Sequence, residues 1–528
     1  MRPVTHVASG GLYALATAST PSPSLLPPLR LNQLTQPPPG VQQLGNGATT
    51  PTGDALKVAA NVTNAGAQQY IRMPDIYPDF PYRWVSWDDW QSKMRTMIQA
   101  RLNATGTTNV NGWEIWNEPD GTWDTQKAGP YLDGWTRSYR FIRSLDATTP
   151  IIGPGYSRYD HRLYVDFLTR TKADGTLPDV IVWHELGDGD WRNVQAHVND
   201  YRAIERSLGI SPRPISINEY GSPGQIDTPS VAAHFIAAFE RAGVNDAERA
   251  YWYESGTIGG LIWNDAPTGS YWAYKWYGEM AGNMVAVTPS GDFDGAASYD
   301  STRKVVTAVV GGVYGDNTVQ VRGLSSFGTS ARVTVNYTPQ SGRKTNVAAP
   351  TQVSSSTVAI SNGSVSVPIR NQDYLGAYEV VVTPASGPVS SYQQTYEAEN
   401  ATVVNASRLS ASSASNGGYV GRIDGSADMR NDSFVDFTVN VPTAGAYSMT
   451  VRYANGGAST STQGLAYNGG AFSTISYPTT GSWGTFSRSV SVSVNLRAGY
   501  NVIRLAKGSP NFGGGSGYAE LDSITLTR

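Results

Sequence analysis

The chain has 528 residues with 56 glycines, 31 prolines, 14 Trp and 30 Tyr, no cysteine, and a net charge of -3 with 15% of residues charged. That length exceeds what one hydrophobic core serves, so two to four domains are expected. The charge offers no basic field for nucleic acid, the lack of cysteine removes any disulfide framework, thiolate nucleophile or Cys metal site, and no stretch approaches a membrane span.

Residues 3–16 suit a first strand opening at Gly10-Gly11, with His6 read as a satisfied core residue. Residues 21–40 are proline-rich, a rigid loop that contains Leu29-Arg30-Leu31-Asn32 as a second strand. Gln69 to Asp75 reads as the third. Arg72 and Asp75 fall at its end, to bind substrate or, more simply, to pair with each other. Ser86-Trp87-Asp88-Asp89 opens a helix whose Trp90, Met94, Met97, Ile98 and Leu102 follow the helical period.

The stretch Trp113-Glu114-Ile115-Trp116-Asn117-Glu118-Pro119-Asp120 reads as a buried strand that turns polar at its tip. Pro119 cannot continue a central strand, so Glu118 should stand at the C-terminal end. Apolar neighbours there disfavour the charged form and would raise its pKa, as a catalytic acid requires. A helix with Trp135, Tyr139 and Ile142 on one face follows, then strands at Pro150–Pro154 and Asp179–Glu185. Pro214-Ile215-Ser216-Ile217-Asn218-Glu219-Tyr220-Gly221 repeats the pattern of the Glu118 strand: β-branched residues, Asn, Glu, then a turn. Thr228-Pro229 caps a helix through Ala242, and Gly259 to Asp265 reads as the eighth strand. Strands alternating with helices over about 280 residues indicate a (β/α)8 barrel, whose active site lies at the C-terminal ends of its strands.

From residue 281 to 385 the strands alternate with period two, at Thr318–Arg322, Ala331–Tyr337, Thr357–Ile360, Ser364–Val367 and Tyr378–Val382, which reads as an antiparallel sandwich. Lys304–Val310 is a strand or a short helix, and Val285–Val287 could supply the sandwich's first strand. Residues 386–393 read as a linker. Residues 394–528 form a further strand-rich domain, in which Glu397 and Glu399 alternate along one strand.

Two Asn-Glu tips on separate strands are what a two-carboxylate glycosidase needs. One carboxyl protonates the departing oxygen and the other attacks the anomeric carbon. A single such Glu would more simply be a cap or surface ion pair; two matching tips favour chemistry. Glu114, Glu185 and Glu254 compete, with Glu185 the main rival because it also ends a strand, and Glu114 better explained by an ion pair. Five His without a paired ligand motif disfavour a metal hydrolase, and no Gly-x-Ser-x-Gly elbow supports a serine hydrolase.

Trp116-Asn117-Glu118-Pro119 resembles the acid/base motif of clan A retaining glycoside hydrolases, and Asn218-Glu219-Tyr220-Gly221 resembles their nucleophile motif. The first 385 residues are most similar to glycoside hydrolase family 39. The resemblance implies a (β/α)8 TIM barrel with Glu118 as acid/base and Glu219 as nucleophile, followed by a β-sandwich accessory domain. It implies Asn117 on the 2-hydroxyl and His184 facing substrate. Tyr220 would bond the nucleophile or only pack, Trp263 would lie at the eighth strand's tip as a floor for the sugar, and Trp116 would bind substrate. No cofactor is expected for catalysis.

Tyr396-Glu397-Ala398-Glu399-Asn400, Gly417-Gly418-Tyr419-Val420 and Tyr518-Ala519-Glu520-Leu521-Asp522 resemble carbohydrate-binding module families 35 and 6, a jelly-roll β-sandwich. That resemblance implies a structural calcium held by Glu397, Glu399 and Asp522. Asn511, Phe512 and Trp483 are candidates for sugar contact. The expectation is a secreted, monomeric enzyme acting on a plant or microbial polysaccharide, although no signal peptide is visible, with no nucleic-acid or membrane partner. The alternatives are an inactive polysaccharide-binding protein and a transglycosylase using the same carboxylates.

Overall fold

A computed structural model describes residues 2–39, 53–250, 254–385, 392–424, 432–441 and 444–528. Eight parallel strands close into a barrel in chain order: β1 (Gly10–Leu12), β2 (Gln33–Gln36), β3 (Gln68–Arg72), β4 (Val110–Glu114), β5 (Ile151–Tyr156), β6 (Val180–Glu185), β7 (Ile215–Tyr220) and β8 (Asp246–Arg249). From β2 onward each connection carries a helix: Ala59–Ala65, Trp87–Leu102, Tyr131–Leu145, His161–Asp174, Val194–Ser207 and Pro229–Ala242, with Gly269–Glu279 after β8. Between β1 and β2 the prolines leave only the 3-10 turns Pro23–Leu25 and Pro27–Leu29, because Pro lacks the N–H that a helix interior needs.

The helix from Trp87 starts as its sequence suggests. Ser86 Oγ accepts from Asp89 N at 3.1 Å, and Trp90, Met94, Met97 and Ile98 are buried at helical spacing. Half of the 14 Trp are likewise core: Trp90, Trp113, Trp116, Trp135, Trp183, Trp272 and Trp276 are all fully buried.

Two strands differ from the sequence expectation. The second is Gln33–Gln36 rather than 29–32, because Leu29 closes a 3-10 turn and Arg30 ends it with φ 51°. The eighth is Asp246–Arg249, not 259–265. Its buried residues Asp246, Glu248 and Arg249 are polar, so it lacks the apolar alternation that marks the others. The stretch expected to be β8 folds as a small hairpin, Ile262–Trp263 paired with Ala266–Pro267, turned by Asn264 and Asp265 at φ 48° and 54°. Asp246 accepts from Tyr70 Oη at 3.1 Å and burial pushes it up to about 6; burial also raises Glu248. Burial thus shifts both acids toward their protonated forms.

The chain divides into two compact units: Met1–Thr318, Thr338–Val347 and Pro368–Val380 in one, and Val319–Tyr337, Ala348–Val367 and Val381–Arg528 in the other. In the first, Asn283–Met284, Asp294–Asp300 and Val305–Gly311 run antiparallel. The segment expected as strand or helix is thus a strand, and Asp294–Asp300 is one that the sequence reading lacked. In the second, Ser330–Thr338 pairs with Thr351–Ala359. Beyond Tyr392 two antiparallel sheets sandwich a core that includes Phe437, Met449, Val451, Leu505 and Ile524. Most of the expected linker lies outside the described residues.

Candidate active site

Strand register assembles the site. The β3–β4 pairing sets Arg72 beside Glu114, and β6–β7 sets His184 beside Glu219. All four are buried. Arg72 Nε donates to Glu114 Oε2 at 2.7 Å, and Arg72 Nη1 donates to Glu219 Oε1. Asn218 Nδ2 donates to Glu114 Oε1 at 2.7 Å. Arg72 therefore does not pair with Asp75 as expected: two buried acids claim it. Asp75 instead accepts from Tyr13 Oη at 2.5 Å and Tyr82 Oη at 2.8 Å. Burial, against Arg72 and those two hydroxyls, pushes Asp75 up to about 7.

Glu118 stands in the turn beyond β4. Pro119 opens a single helical turn, Pro119–Thr122, which Glu118 precedes with φ 50° and ψ 52°. A left-handed backbone costs a residue with a Cβ about 1–3 kcal/mol and persists only when its surroundings enforce it. Here Glu118 N donates to Gly155 O at 2.7 Å, and Gly121 N and Thr122 N donate to Glu118 O at 2.9 and 2.8 Å. Gly155 has φ 73°, and a Cβ there would meet Trp116 O at 2.8 Å, so only glycine lets β5 pass beneath this corner.

His184 bridges the two glutamates. Its Nδ1 lies 3.1 Å from Glu118 Oε1 and its Nε2 3.7 Å from Glu219 Oε1. One oxygen of each glutamate and a ring nitrogen of His184 all fall within 4.8 Å of one another. Three such donors could also hold a cation, but the Arg72 guanidinium already sits on the same Glu219 oxygen and opposes one. Burial pushes Glu118 up, yet the hydrogen bond and charge of His184 and the charge of Arg72 outweigh it and leave the carboxyl below its usual 4.5. Burial pushes His184 down, yet Glu219 and Glu118 outweigh that and leave the imidazole above 6.5. These two shifts favour the shared proton on His184 over Glu118, contrary to the expectation that apolar surroundings would raise Glu118. Asn117 Oδ1 is buried without a partner in the same corner, where a substrate hydroxyl could donate to it.

Other expected site residues lie elsewhere. Tyr220 follows Glu219 on a strand and so faces the opposite side. Its hydroxyl donates to Ala8 O at 2.8 Å, and its ring packs on Phe235 and Phe239; it does not bond the nucleophile. Trp116 is fully buried among Tyr82, Trp84, Trp90 and Trp123, with Nε1 donating to Thr122 Oγ1 at 2.9 Å. It supports the corner from behind, because the aromatic loop before the Trp87 helix covers it. Trp263 lies on the hairpin after β8, not on a barrel strand, with Lys344 Nζ 4.7 Å from its ring centre. Glu185 faces away from His184 and accepts from Trp183 Nε1 at 2.7 Å, with His197 Nδ1 also at 2.7 Å, so it is no rival to Glu219. Glu254 pairs with Lys344 at 3.0 Å. The sequence reading missed Asn218, Tyr13 and Tyr82; an Arg and a Glu inside the apolar runs of β3 and β4 were the available signal for the buried pair.

In the C-terminal sandwich Glu397 ends the strand Gln393–Glu397, and Glu399 lies in the turn Ala398–Asn400, so the two do not alternate along one strand. Glu397 Oε2 accepts from Ser415 Oγ at 2.6 Å, and Asp522 accepts from Ser415 N at 2.8 Å and Arg452 Nη1 at 2.6 Å. Glu399 keeps a buried oxygen without a partner, and burial, with the charges of Glu397 and Asp522, pushes it up to about 7. Trp483 is 43% exposed and stacks on Tyr518. Asn511 is bound to Arg504 and Asp432, and Phe512 packs near Phe472.

Comparison with known proteins places this geometry. The model of the family 35 carbohydrate binding module matches residues 394–528. Over 85% of its length the chain is 27% identical to a 3-O-alpha-D-galactosyl-alpha-L-arabinofuranosidase of Bifidobacterium longum subsp. longum, of which it covers 46%. It is 26% identical, again over 85%, to a 3-O-beta-L-arabinopyranosyl-alpha-L-arabinofuranosidase of Bifidobacterium pseudocatenulatum, covering 54%. The chain spans about half the length of these curated relatives. Among solved structures, N2152 from Neocallimastix frontalis is 35% identical with TM-score 0.67, over 73% of this chain and 97% of that one. A GH39 beta-xylosidase from Caulobacter crescentus shares the fold at 15% identity and TM-score 0.51, over 73% of this chain and 98% of that one. The chain thus belongs to one family with N2152, has glycosidases among its relatives, and ends in a family 35 carbohydrate-binding module.

Proposed function

We propose that the protein is a secreted O-glycosidase that acts with retention on α-L-arabinofuranosides of a polysaccharide, those that carry an outer sugar. The observation that carries the reading is the approach of one Glu118 oxygen and one Glu219 oxygen to within 4.8 Å, with His184 between them. Retaining enzymes hold their carboxyls about 5–5.5 Å apart and inverting ones about 6.5–9.5 Å. This spacing supports the former. The substrate class follows the names of the two arabinofuranosidase relatives, and the module supports a polymeric target.

In this mechanism Arg72 and His184 both approach Glu219 Oε1, which fixes the carboxylate and leaves Oε2 to attack the anomeric carbon. The departing oxygen takes a proton from Glu118, which draws it from His184 through the 3.1 Å contact. Glu118 then takes a proton from water as that water opens the glycosyl-enzyme. The test is hydrolysis of 4-nitrophenyl α-L-arabinofuranoside and of its 3-O-α-D-galactosyl derivative, with the anomer of the released sugar followed by NMR. Release of nitrophenol with the α-anomer formed first is expected; a β-anomer first would overturn retention, and no turnover of either would overturn the substrate class.

The proton shared with His184 gives a pH signature. The Glu118–His184 pair loses its last proton above 6.5, because His184 is raised. His184→Asn leaves Glu118 alone to hold it. The basic limb of kcat/KM should therefore move to lower pH, with kcat down by about 10-fold or more. An unmoved limb would show that His184 only packs.

We also propose that Glu397, Glu399 and Asp522 hold a structural calcium, supported by the unpartnered buried oxygen of Glu399; Asp522 would have to exchange its Arg452 ion pair for the ion, and the three carboxylates would have to draw together around it. Millimolar calcium should raise the Tm of the C-terminal sandwich, and Glu399→Gln should abolish the response. A Tm indifferent to both calcium and chelator would dismiss the site.

A further inference from the structure

Asp75 is an acid that no catalytic step uses. It lies in the 3-10 turn Met73–Ile76, which directly follows β3. Its two partners come from different loops, Tyr13 from just beyond β1 and Tyr82 from the stretch before the Trp87 helix. All three side chains are buried, too enclosed to meet a substrate.

Each carboxyl oxygen serves one tyrosine. Oδ2 accepts from Tyr13 Oη at 2.5 Å and Oδ1 from Tyr82 Oη at 2.8 Å. A buried carboxyl needs such partners, so the pairing fixes the two hydroxyls as firmly as it fixes the acid. Tyr13 is also held through its backbone. Its φ is 45°, a left-handed value that persists only where the surroundings enforce it, and its N donates to Thr35 O on β2 at 2.9 Å.

Each tyrosine backs one half of the catalytic pair. Arg72 Cζ lies 5.9 Å from the centre of the Tyr13 ring, within reach of cation–π attraction, and the same guanidinium holds Glu219 Oε1. On the other side the Tyr82 ring meets Trp116 edge-on, with 5.4 Å between centres. Trp116 Nε1 donates to Thr122 Oγ1 at 2.9 Å, and Thr122 Oγ1 donates to Asn117 O at 2.6 Å and lies 3.0 Å from Glu118 O, closing the turn that carries Glu118.

Contacts therefore run without a break from Glu219 to the Glu118 corner, and Asp75 joins the two halves. Retention needs the two carboxyls about 5–5.5 Å apart, and a misplacement of about 1 Å can cost about 100-fold in rate. We infer that Asp75 is a positioning residue that sets the spacing of Glu118 and Glu219, through Tyr13 on one side and Tyr82 on the other.

This inference rests on the glycosidase reading above, and its test separates the two. Tyr13→Phe and Tyr82→Phe keep the ring and remove the hydroxyl. They are compared with the wild type, as the full chain, on 4-nitrophenyl and phenyl α-L-arabinofuranoside. Phenolate is the poorer leaving group and relies more on proton donation. Tyr13→Phe loosens the Glu219 side, so kcat/KM should fall about 10-fold on both glycosides. Tyr82→Phe loosens the Glu118 side, so the fall should be about twofold on the nitrophenyl glycoside and about 10-fold or more on the phenyl one. Asp75→Asn, whose amide nitrogen cannot accept from a hydroxyl, should combine the two patterns; the two Phe variants carry the test should it fail to fold. A loss in Tyr82→Phe that ignores the leaving group, or unchanged kinetics in both Phe variants, would overturn the inference.

A second readout needs no turnover. His184 lies between Glu118 and Glu219, so NMR titration of the 15N-labelled histidines, with His184→Asn to identify the signal, reports where the two carboxylates stand. Both tyrosine substitutions exchange a neutral group for a neutral one. The His184 midpoint should nevertheless fall by at least about 0.5 on the pH scale in each, as one acid recedes from the ring. If the wild type cleaves neither glycoside, that fall still supports the positioning role, and an unchanged midpoint overturns it.

Discussion

Glu219→Ala should lose activity by a factor on the order of 10⁴ or more, and azide should restore part of it with the opposite anomeric outcome. The size follows from the role: with no carboxylate at this position there is no glycosyl-enzyme, and removing a catalytic nucleophile leaves only the residual rate of binding and electrostatics. The rescue follows from the geometry. Deleting the carboxyl opens a space against Arg72 and His184, both of which face Glu219 Oε1 and favour a small anion there. Azide entering that space attacks the face Glu219 would have used, so the glycosyl azide is inverted. Glu118→Ala should behave in the mirror sense. A nitrophenolate needs little protonation to leave, so the first step survives and hydrolysis of the glycosyl-enzyme slows. Azide then attacks that intermediate from the opposite face and yields a retained product. The two opposite configurations identify the two residues. Activity that survives Glu219→Ala would remove the nucleophile from its assigned place.

The pattern of strands carried most of this site, and the reason lies in which residues report on their own surroundings. Glu118 and Glu219 are legible because each ends an apolar run abruptly, with a preceding Asn and a following turn, and local sequence dictates that a strand must stop there. His184 was named through the family resemblance at the end of β6, and strand register, which pairs it directly with Glu219, is what brings it to the site. Arg72 was assigned the wrong partner because the choice between Asp75, three residues away, and Glu114, 42 residues away, is made by strand pairing and not by proximity along the chain. Trp263 and β8 were misplaced for a related cause. A barrel strand whose inward residues are Asp246 and Glu248 reads as a polar loop, while the apolar Leu261-Ile262-Trp263 reads as a strand although it is a two-residue hairpin arm. Tyr220 and Glu185 show the remaining limit. Each neighbours a catalytic-face residue, and one step along a strand turns the side chain to the other side.

Arg72→Met should destabilise the barrel by about 3–5 kcal/mol and cut kcat/KM by about 100-fold or more, and the two losses should be separable. Arg72 is fully buried between two buried carboxylates, Glu114 and Glu219, with Asn218 as the other donor to Glu114. Removing one partner of a buried ion pair leaves an uncompensated charge, which is why the cost exceeds that of a surface bridge. The catalytic loss has a different origin, since Glu219 also loses the donor that fixes its orientation. Arg72→Met with Glu114→Gln removes the stranded charge and replaces it with a neutral amide that Asn218 can still serve. That double variant should recover most of the thermal stability and almost none of the activity. Recovery of both would make Arg72 a purely structural residue. Recovery of neither would mean that the fold depends on the guanidinium itself rather than on the balance of charge around it.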